Sequence, residues 1–318
     1  MTEATHPRDV LDLIGHEAAE AAFAASLARG RLHHAWLLCG PEGIGKATFA
    51  YRAARRLLGA RAGEGGALAA APGNPVSRLI TARSHPDLFV LERLGEDGKP
   101  RRVIPVDEAR KLSDFFAKSP AQAPFRVAIV DAADDLNPNA ANALLKTLEE
   151  PPARGVLLLV SHTPGALLPT LRSRCRRLTF QPPGEAAVTE VLQRHGLSGG
   201  EALARMAQGS PGRALALAAA DAVALDEAAR ALVAALPRGD PGVALGLTDR
   251  FRGADGLPTF LIFFDLLAQH AQAETERRAG EAGAAALWSE AWSALGRIAG
   301  ETEALNLDRA DALHAALA

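Results

Sequence analysis

Cysteine is nearly missing from this chain: only Cys39 and Cys175 occur in 318 residues. Two thiols build neither a disulfide framework nor, by themselves, a zinc cluster, so a disulfide-stapled secreted scaffold is excluded. No apolar run approaches ~18 residues, which argues against a membrane span. The opening Met1-Thr2-Glu3-Ala4-Thr5-His6-Pro7 carries an acid and no apolar stretch, so a secretory leader is not expected. Lysine is absent from residues 224–318, which hold 8 Arg and 14 Asp or Glu; this region is at −6 and the first 223 residues at +4. Two regions with different neighbours would produce that split, and so would chance combined with a general use of Arg over Lys. The overall charge of −2 excludes a strongly basic nucleic-acid coat and an acidic disordered tail. Hydrophobic content of 48% is enough for a packed core and too much for disorder. A cytoplasmic protein of two or three domains is expected.

The first part of the chain switches between two periods. Short apolar runs at Ala35–Cys39, 87–91, Arg126–Asp131, 155–160 and 177–180 read as strands, with amphipathic stretches of helical spacing between several of them. Strands alternating with helices predict an α/β fold, a parallel sheet covered on both faces. Val127-Ala128-Ile129-Val130 has the continuous apolar character of a strand buried on both sides. Glu96-Asp97-Gly98-Lys99-Pro100 predicts a turn, in a hairpin outside that sheet. The Gly-, Ala- and Pro-rich stretch 59–75 predicts a long surface loop.

After Gln181-Pro182-Pro183-Gly184 no further strand is expected. Breakers at Gly199-Gly200, Ser210-Pro211-Gly212, Pro237, Pro241 and Gly253 divide the rest into helices. These predict three regions: residues 1–181 around the sheet, a small helical domain at 182–223 and a larger one at 224–318. In the last, Leu261-Ile262-Phe263-Phe264 with Leu266-Leu267 forms an apolar stripe. Trp288 and Trp292, four residues apart, are expected to pack in a helix interface rather than form a ligand box.

The most specific chemistry is Gly40-Pro41-Glu42-Gly43-Ile44-Gly45-Lys46-Ala47-Thr48, set between a strand and a helical stretch. Gly40, Gly43 and Gly45 let the backbone curl its N–H groups around a phosphate, and Lys46 supplies a point charge: a P-loop. The position after Lys46 calls for a Ser or Thr hydroxyl to bind magnesium, and Ala47 has none. Thr48 lies one residue on, about 100° around a helix; it is a candidate contact for an α-phosphate and does not replace the magnesium ligand. The strand Val127-Ala128-Ile129-Val130-Asp131 ends in an acid suited to holding magnesium. Ala132 follows, where ATPases of this kind carry a water-orienting Glu; Asp134 and Asp135 read as loop carboxylates or caps. Two losses in two separate motifs predict a site that holds nucleotide weakly or not at all and does not turn it over.

Asn137-Pro138 starts an amphipathic helix whose stripe is Ala141, Leu144, Leu145 and Leu148, ended by Pro151-Pro152. Leu171-Arg172-Ser173-Arg174-Cys175-Arg176-Arg177 packs four arginines into seven residues, a solvated face or a seat for an anion. Arg52, Arg55, Arg56 and Arg61 are read as a solvated face, with steering of a DNA backbone as the alternative. Sequence-specific DNA binding by this chain itself is not expected.

Together these segments resemble the AAA+ clamp-loader family. Ile14-Gly15-His16-Glu17, Leu32-His33-His34-Ala35, the P-loop, Ser84-His85-Pro86-Asp87, Asn142 through Pro152, Ser173-Arg174-Cys175 and Gly209 through Arg213 carry the resemblance, in the family's order. It implies a RecA-like nucleotide-binding module, a small helical lid and an all-α collar that packs subunits into a ring. The implied role is the stationary member of a hetero-pentamer with gamma/tau-type motors and a delta subunit, loading a sliding β-clamp onto primer-template DNA. Such a chain belongs to a DNA polymerase holoenzyme without being a polymerase or an active ATPase itself. Arg174 falls where the family's arginine finger, aimed at a neighbour's ATP site, is found; Arg213 matches the sensor-2 position facing the chain's own nucleotide. Many relatives carry a four-cysteine zinc module after the P-loop helix; 59–87 contains no Cys, so no zinc is expected. The rival reading is a catalytically active gamma/tau-type motor, against which Ala47, Ala132 and the missing cysteines weigh.

Overall fold

The structure is a computed structural model that describes residues 6–71, 73–93, 101, 103–197, 200–235, 246–253 and 256–317. The expected hairpin turn at Glu96–Pro100 lies outside the described residues. The chain divides into two compact units, Ala4–Ala214 and Leu215–Ala318.

The first unit is built on β1 (Ala35–Cys39), β2 (Leu88–Glu92), β3 (Arg126–Asp131), β4 (Gly155–Ser161) and β5 (Arg176–Thr179). All neighbours are parallel, in the order β2-β3-β4-β1-β5. The strands match the expected ones to within a residue at each end. Their near-continuous apolar character has a direct cause: helices cover both faces, so both side-chain sets of a strand are buried. Trp36 and Leu38 of β1 join Phe23 of α1 (Glu17–Ala28) and Phe49 of α2 (Lys46–Leu57) on one face. Leu37 of the same strand joins Leu112 of α4 (Val106–Phe116), Leu144 and Leu148 of α5 (Pro138–Glu149) and Leu171 of α6 (Pro169–Ser173) on the other.

Local chemistry sets the boundaries. The Asn137 side chain accepts from Ala140 N at 2.8 Å and Pro138 takes the first helical position, so α5 starts as expected. Asn74 caps α3 (Pro75–Thr81) in the same way. Asp87, fully buried where the chain enters β2, accepts from the amides of Ala121, Gln122 and Ala123 at 2.7, 2.9 and 3.0 Å. Burial pushes its carboxyl up, but the three amides together hold it below the usual carboxylate range. The Asp of Ser84-His85-Pro86-Asp87 is therefore a structural staple.

Two expectations are overturned here. Arg52 and Arg55 are not a solvated face: both are about 1% exposed. Arg52 makes an ion pair with the buried Glu20 of α1, and its guanidinium also donates to Leu11 O and Gly65 O; Arg55 donates to Arg8 O. Nor does 59–75 lie wholly on the surface. Leu68 is 1% exposed within the face that holds Trp36, and the Leu68 amide lies 3.4 Å from Glu20 Oε2. A buried charge needs a partner, and here the partner is what pulls the loop inward.

Beyond the sheet, the same unit adds α7 (Glu185–Arg194), α8 (Gly200–Met206) and the start of α9 (Pro211–Ala219). The second unit holds α10 (Ala222–Ala235), two long helices, Gly256–Arg277 and Ala282–Leu305, and a last helix, Arg309–Leu317. Its core is aromatic. Phe251 meets Phe260 and Phe263 with ring centroids 5.4 and 5.5 Å apart, and Phe260 meets Phe264 at 4.3 Å. Phe263, Phe264, Leu266 and Leu267 of the apolar stripe are buried. The tryptophans depart from the expected packing within the chain. Trp288 is half-buried and Trp292 is 43% exposed, on a helix that also exposes Leu287 and Leu305 at 69% and 68%. Among the described residues no helix is long and apolar enough to cross a membrane.

Candidate functional site

The carboxyl ends of β1, β3 and β4 lie side by side, because the sheet order places β4 between the other two. Open parallel sheets bind their ligands at such ends. Each of the three ends contributes one part of the site.

From β1 comes the P-loop. Gly43 and Gly45 adopt φ of 74° and 102°, a backbone that side chains disfavour, and α2 starts at Lys46. Lys46 is 2% exposed; its Nζ donates to Gly40 O at 2.6 Å and to Pro41 O. Burial lowers its pKa to about 8, against the opposing pull of Asp131 and Glu42. Ala47 and Thr48 occupy the first turn of α2, and no hydroxyl stands at the magnesium position. Behind the loop, His16 Nε2 donates to Ile44 O at 2.6 Å and its ring packs edge-on to Phe180 at 5.0 Å, which gives the Ile14-Gly15-His16-Glu17 segment a structural role.

From β3 comes Asp131, paired in register with Glu92 of β2. Burial, and then the neighbouring Glu92 carboxylate, raise its pKa to about 6. Ala132 beside it is buried and offers no oxygen. Asp134 is fully engaged elsewhere, accepting from Ser161 Oγ at 2.9 Å, His162 N at 2.6 Å and both Thr163 N and Oγ1 at 3.2 and 3.0 Å. Asp135 pairs with Arg93 at 3.0 Å. Neither carboxylate stands in for the absent Glu.

From β4 comes a group that no motif pointed to. His162 follows Ser161, the register partner of Cys39, and its Nδ1 is buried without a hydrogen-bond partner. Burial and the positive Lys46 hold it below the usual imidazole range, so it is neutral. The available signal was positional: a polar Ser161-His162-Thr163 run directly ending an apolar strand.

The start of α9 closes over the P-loop. Gly212 N donates to Gly43 O at 2.7 Å and Ser210 Oγ donates to Glu42 O at 3.1 Å. A Cβ on Gly43 would lie 2.4 Å from Ser210 Oγ, and one on Gly212 would lie 2.9 Å from Gly43 Cα. The Arg213 amide is thereby brought beside Gly43, 3.2 Å from where a Cβ would stand. The residues fit a phosphate, through the glycine curl and Lys46, and do not fit magnesium, for want of the hydroxyl. Among the described residues no group of three or more His, Cys, Asp or Glu is placed to hold a metal ion.

Arg174 belongs to a different place, the end of α6 before the edge strand β5. Its Nη1 donates to Thr170 O at 2.9 Å and its Nη2 pairs with Glu149 at 2.8 Å. The four arginines are divided in their tasks. Arg176 lies over the Trp36 ring at 4.9 Å, while Arg172 and Arg177 line an open cavity of about 580 Å³ with Ser173. Both thiols are quiet: burial raises the Cys39 pKa and pushes that of Cys175 up to about 12.

Strand order, P-loop and acid-ended β3 make an open, all-parallel α/β module built around a P-loop. Comparison with known proteins narrows this further. A family model described as DNA polymerase III, delta subunit, matches residues 15–184. Among curated relatives, DNA polymerase III subunit delta' of Pseudomonas aeruginosa is 43% identical over 166 residues, 52% of this chain and 48% of that protein. Subunit delta' of Escherichia coli K12 is 36% identical over 220 residues, 68% of this chain and 64% of that one. Subunit gamma of Buchnera aphidicola is 32% identical over 187 residues, 59% and 49% of the two chains. The match thus spans about half to two thirds of these relatives' length. With more than half of the chain inside the family model, the protein belongs to the DNA polymerase III delta subunit family.

Proposed function

We propose that this chain is the stationary, delta-prime-type subunit of a cytoplasmic DNA polymerase III clamp loader. It supports ATP-dependent loading of the sliding β-clamp onto primed DNA, and Arg174 serves the ATP site of a neighbouring motor subunit. Residues 182–223 act as the lid. Residues 224–318 act as the collar that joins gamma/tau motors and delta in a pentamer.

One observation carries the reading: the two halves of an ATPase are unequally kept. The chain's own site lacks the magnesium hydroxyl and the water-orienting carboxylate, its Lys46 rests on Gly40 O and Pro41 O, and the α9 start sits on the P-loop. Arg174, of no use to that site, remains about a third exposed, with a forked set of donors suited to a phosphate oxygen. A nucleotide bound here would supply only phosphate charge for Lys46 and the loop amides to hold. A catalytically active gamma/tau-type motor is the second reading, favoured by the retained Gly45-Lys46 and by the 32% identity to a subunit gamma.

Two assays decide between them. The isolated chain should show weak or no ATP binding, with or without Mg²⁺, and no turnover; robust Lys46-dependent turnover would establish the motor. In a complex reconstituted with motor and delta subunits, Arg174→Ala should fold and assemble normally and lower DNA-stimulated ATP hydrolysis in part. An arginine finger is worth ~10³–10⁵ at one site, but several sites contribute. Unchanged hydrolysis and clamp loading would remove the finger role.

A further inference from the structure

The ion pair between Arg174 and Glu149 joins two motifs that the sequence keeps apart. Glu149 is the last residue of α5, and Arg174 follows α6. An acid at a helix C-terminus opposes the macrodipole, at a cost of ~0.3–1 kcal/mol, so Glu149 is not there for the helix. The side chains of Glu149 and Arg174 are 50% and 35% exposed, and a pair of that kind adds only ~0.2–1 kcal/mol of stability. Neither local structure nor global stability therefore accounts for this carboxylate.

Geometry does. The carboxylate takes Nη2 of Arg174 at 2.8 Å while Thr170 O takes Nη1 at 2.9 Å. The planar fork is thus fixed at both terminal nitrogens, by acceptors from two elements, and its remaining donors are unspent. Both elements are firmly seated: Leu144 and Leu148 of α5 and Leu171 of α6 are buried in one cluster. An arginine side chain carries ~2 kcal/mol of rotamer entropy. Restricting it beforehand spares that loss when a phosphate arrives.

We infer that Glu149 is a positioning residue for Arg174. It holds the guanidinium in one orientation, with free donors directed at the phosphate of a nucleotide carried by a neighbouring subunit. This rests on the finger reading of Arg174, and the test separates the two.

The reconstituted complex is assayed for DNA-stimulated ATP turnover with Arg174→Ala, Glu149→Ala and the double variant, and the unfolding midpoint of each single chain is measured. For Glu149→Ala the midpoint should stay or rise slightly, since alanine relieves the clash with the dipole. Turnover should nonetheless fall, in part and by no more than with Arg174→Ala. In the Arg174→Ala background the second change should have no effect. A fall with Arg174→Ala but none with Glu149→Ala overturns the positioning role and leaves the finger standing. Losses that simply add in the double variant, or a lowered midpoint that accounts for the fall, also overturn it. No fall with Arg174→Ala removes the finger and the positioning role together.

Discussion

Glu20 and Arg52 meet at two points inside the first unit, with Nε to Oε1 at 2.5 Å and Nη2 to Oε2 at 3.2 Å, both side chains 3% exposed or less. Around them gather Leu11 O, Gly65 O and the Leu68 amide. The pair ties α1, α2 and the 59–75 loop to one another.

Removing one member leaves the other charged and buried. Arg52→Ala should destabilise the first unit by ~3–5 kcal/mol and expose 59–75 to protease. Replacing both residues by apolar ones of similar size should lose much less. Denaturant unfolding of the three chains, with proteolytic mapping, checks this; an Arg52→Ala chain within 0.5 kcal/mol of the parent, a margin about that of ordinary surface changes, would show that the pair holds nothing.

The contact between Gly43 and Gly212 leaves no room for a methyl group. Gly212→Ala places a Cβ 2.9 Å from Gly43 Cα, backbone that cannot swing aside. The expected loss is ~1–3 kcal/mol, and hydrogen exchange at the P-loop amides should speed up as the α9 start lifts. Unchanged exchange there would mean that the two segments do not restrain each other.

Asp131 sets a pH signature. Its folded pKa of about 6 stands above the ordinary carboxylate value of 3.8. Between these pH values the folded chain keeps a proton that the unfolded chain releases, so this group makes stability fall as pH rises through that window. Asp87 and Asp134, held low, act in the opposite direction at more acid pH. Their contribution is common to both chains in a comparison. Asp131→Asn should therefore gain on the parent by roughly 1–3 kcal/mol between pH 4 and 7. A constant difference across that range would contradict the assignment.

The second unit exposes Leu287 at 69% and Trp292 at 43% on one long helix. On the proposed collar reading they should matter to assembly and not to folding. Leu287→Ser with Trp292→Ala should leave the unfolding midpoint of the chain nearly unchanged, while co-purification with motor and delta subunits drops several-fold. Full assembly by that variant would place the collar contact elsewhere.

What could be read from the sequence follows from the range of the forces involved. The strands were legible because two-sided burial writes itself as an unbroken apolar run, as in Val127–Val130. The α5 start was legible because Asn137 caps within three residues. Arg52 was not: an arginine among arginines on a helical pattern reads as solvated, and its partner Glu20 is 32 residues away. Leu68 was hidden as one apolar residue in a Gly- and Ala-rich stretch. The closure of α9 on the P-loop joins Ser210 to Glu42, 168 residues apart, and Gly212 to Gly43, and nothing local marks the two segments as partners. Trp292 misled because an aromatic pair at helical spacing looks the same whether it is covered by its own chain or by another.

The state of the two native thiols has a practical side. A thiol reacts as its thiolate. Cys39 is 1% exposed with a raised pKa, and Cys175 is held at about 12, so neither offers one at neutral pH. A cysteine introduced at an exposed position such as Val223, 40% exposed, becomes the single handle for maleimide dyes or spin labels. Distances from that position to a label on a second protein can then be followed by fluorescence with both native cysteines left in place.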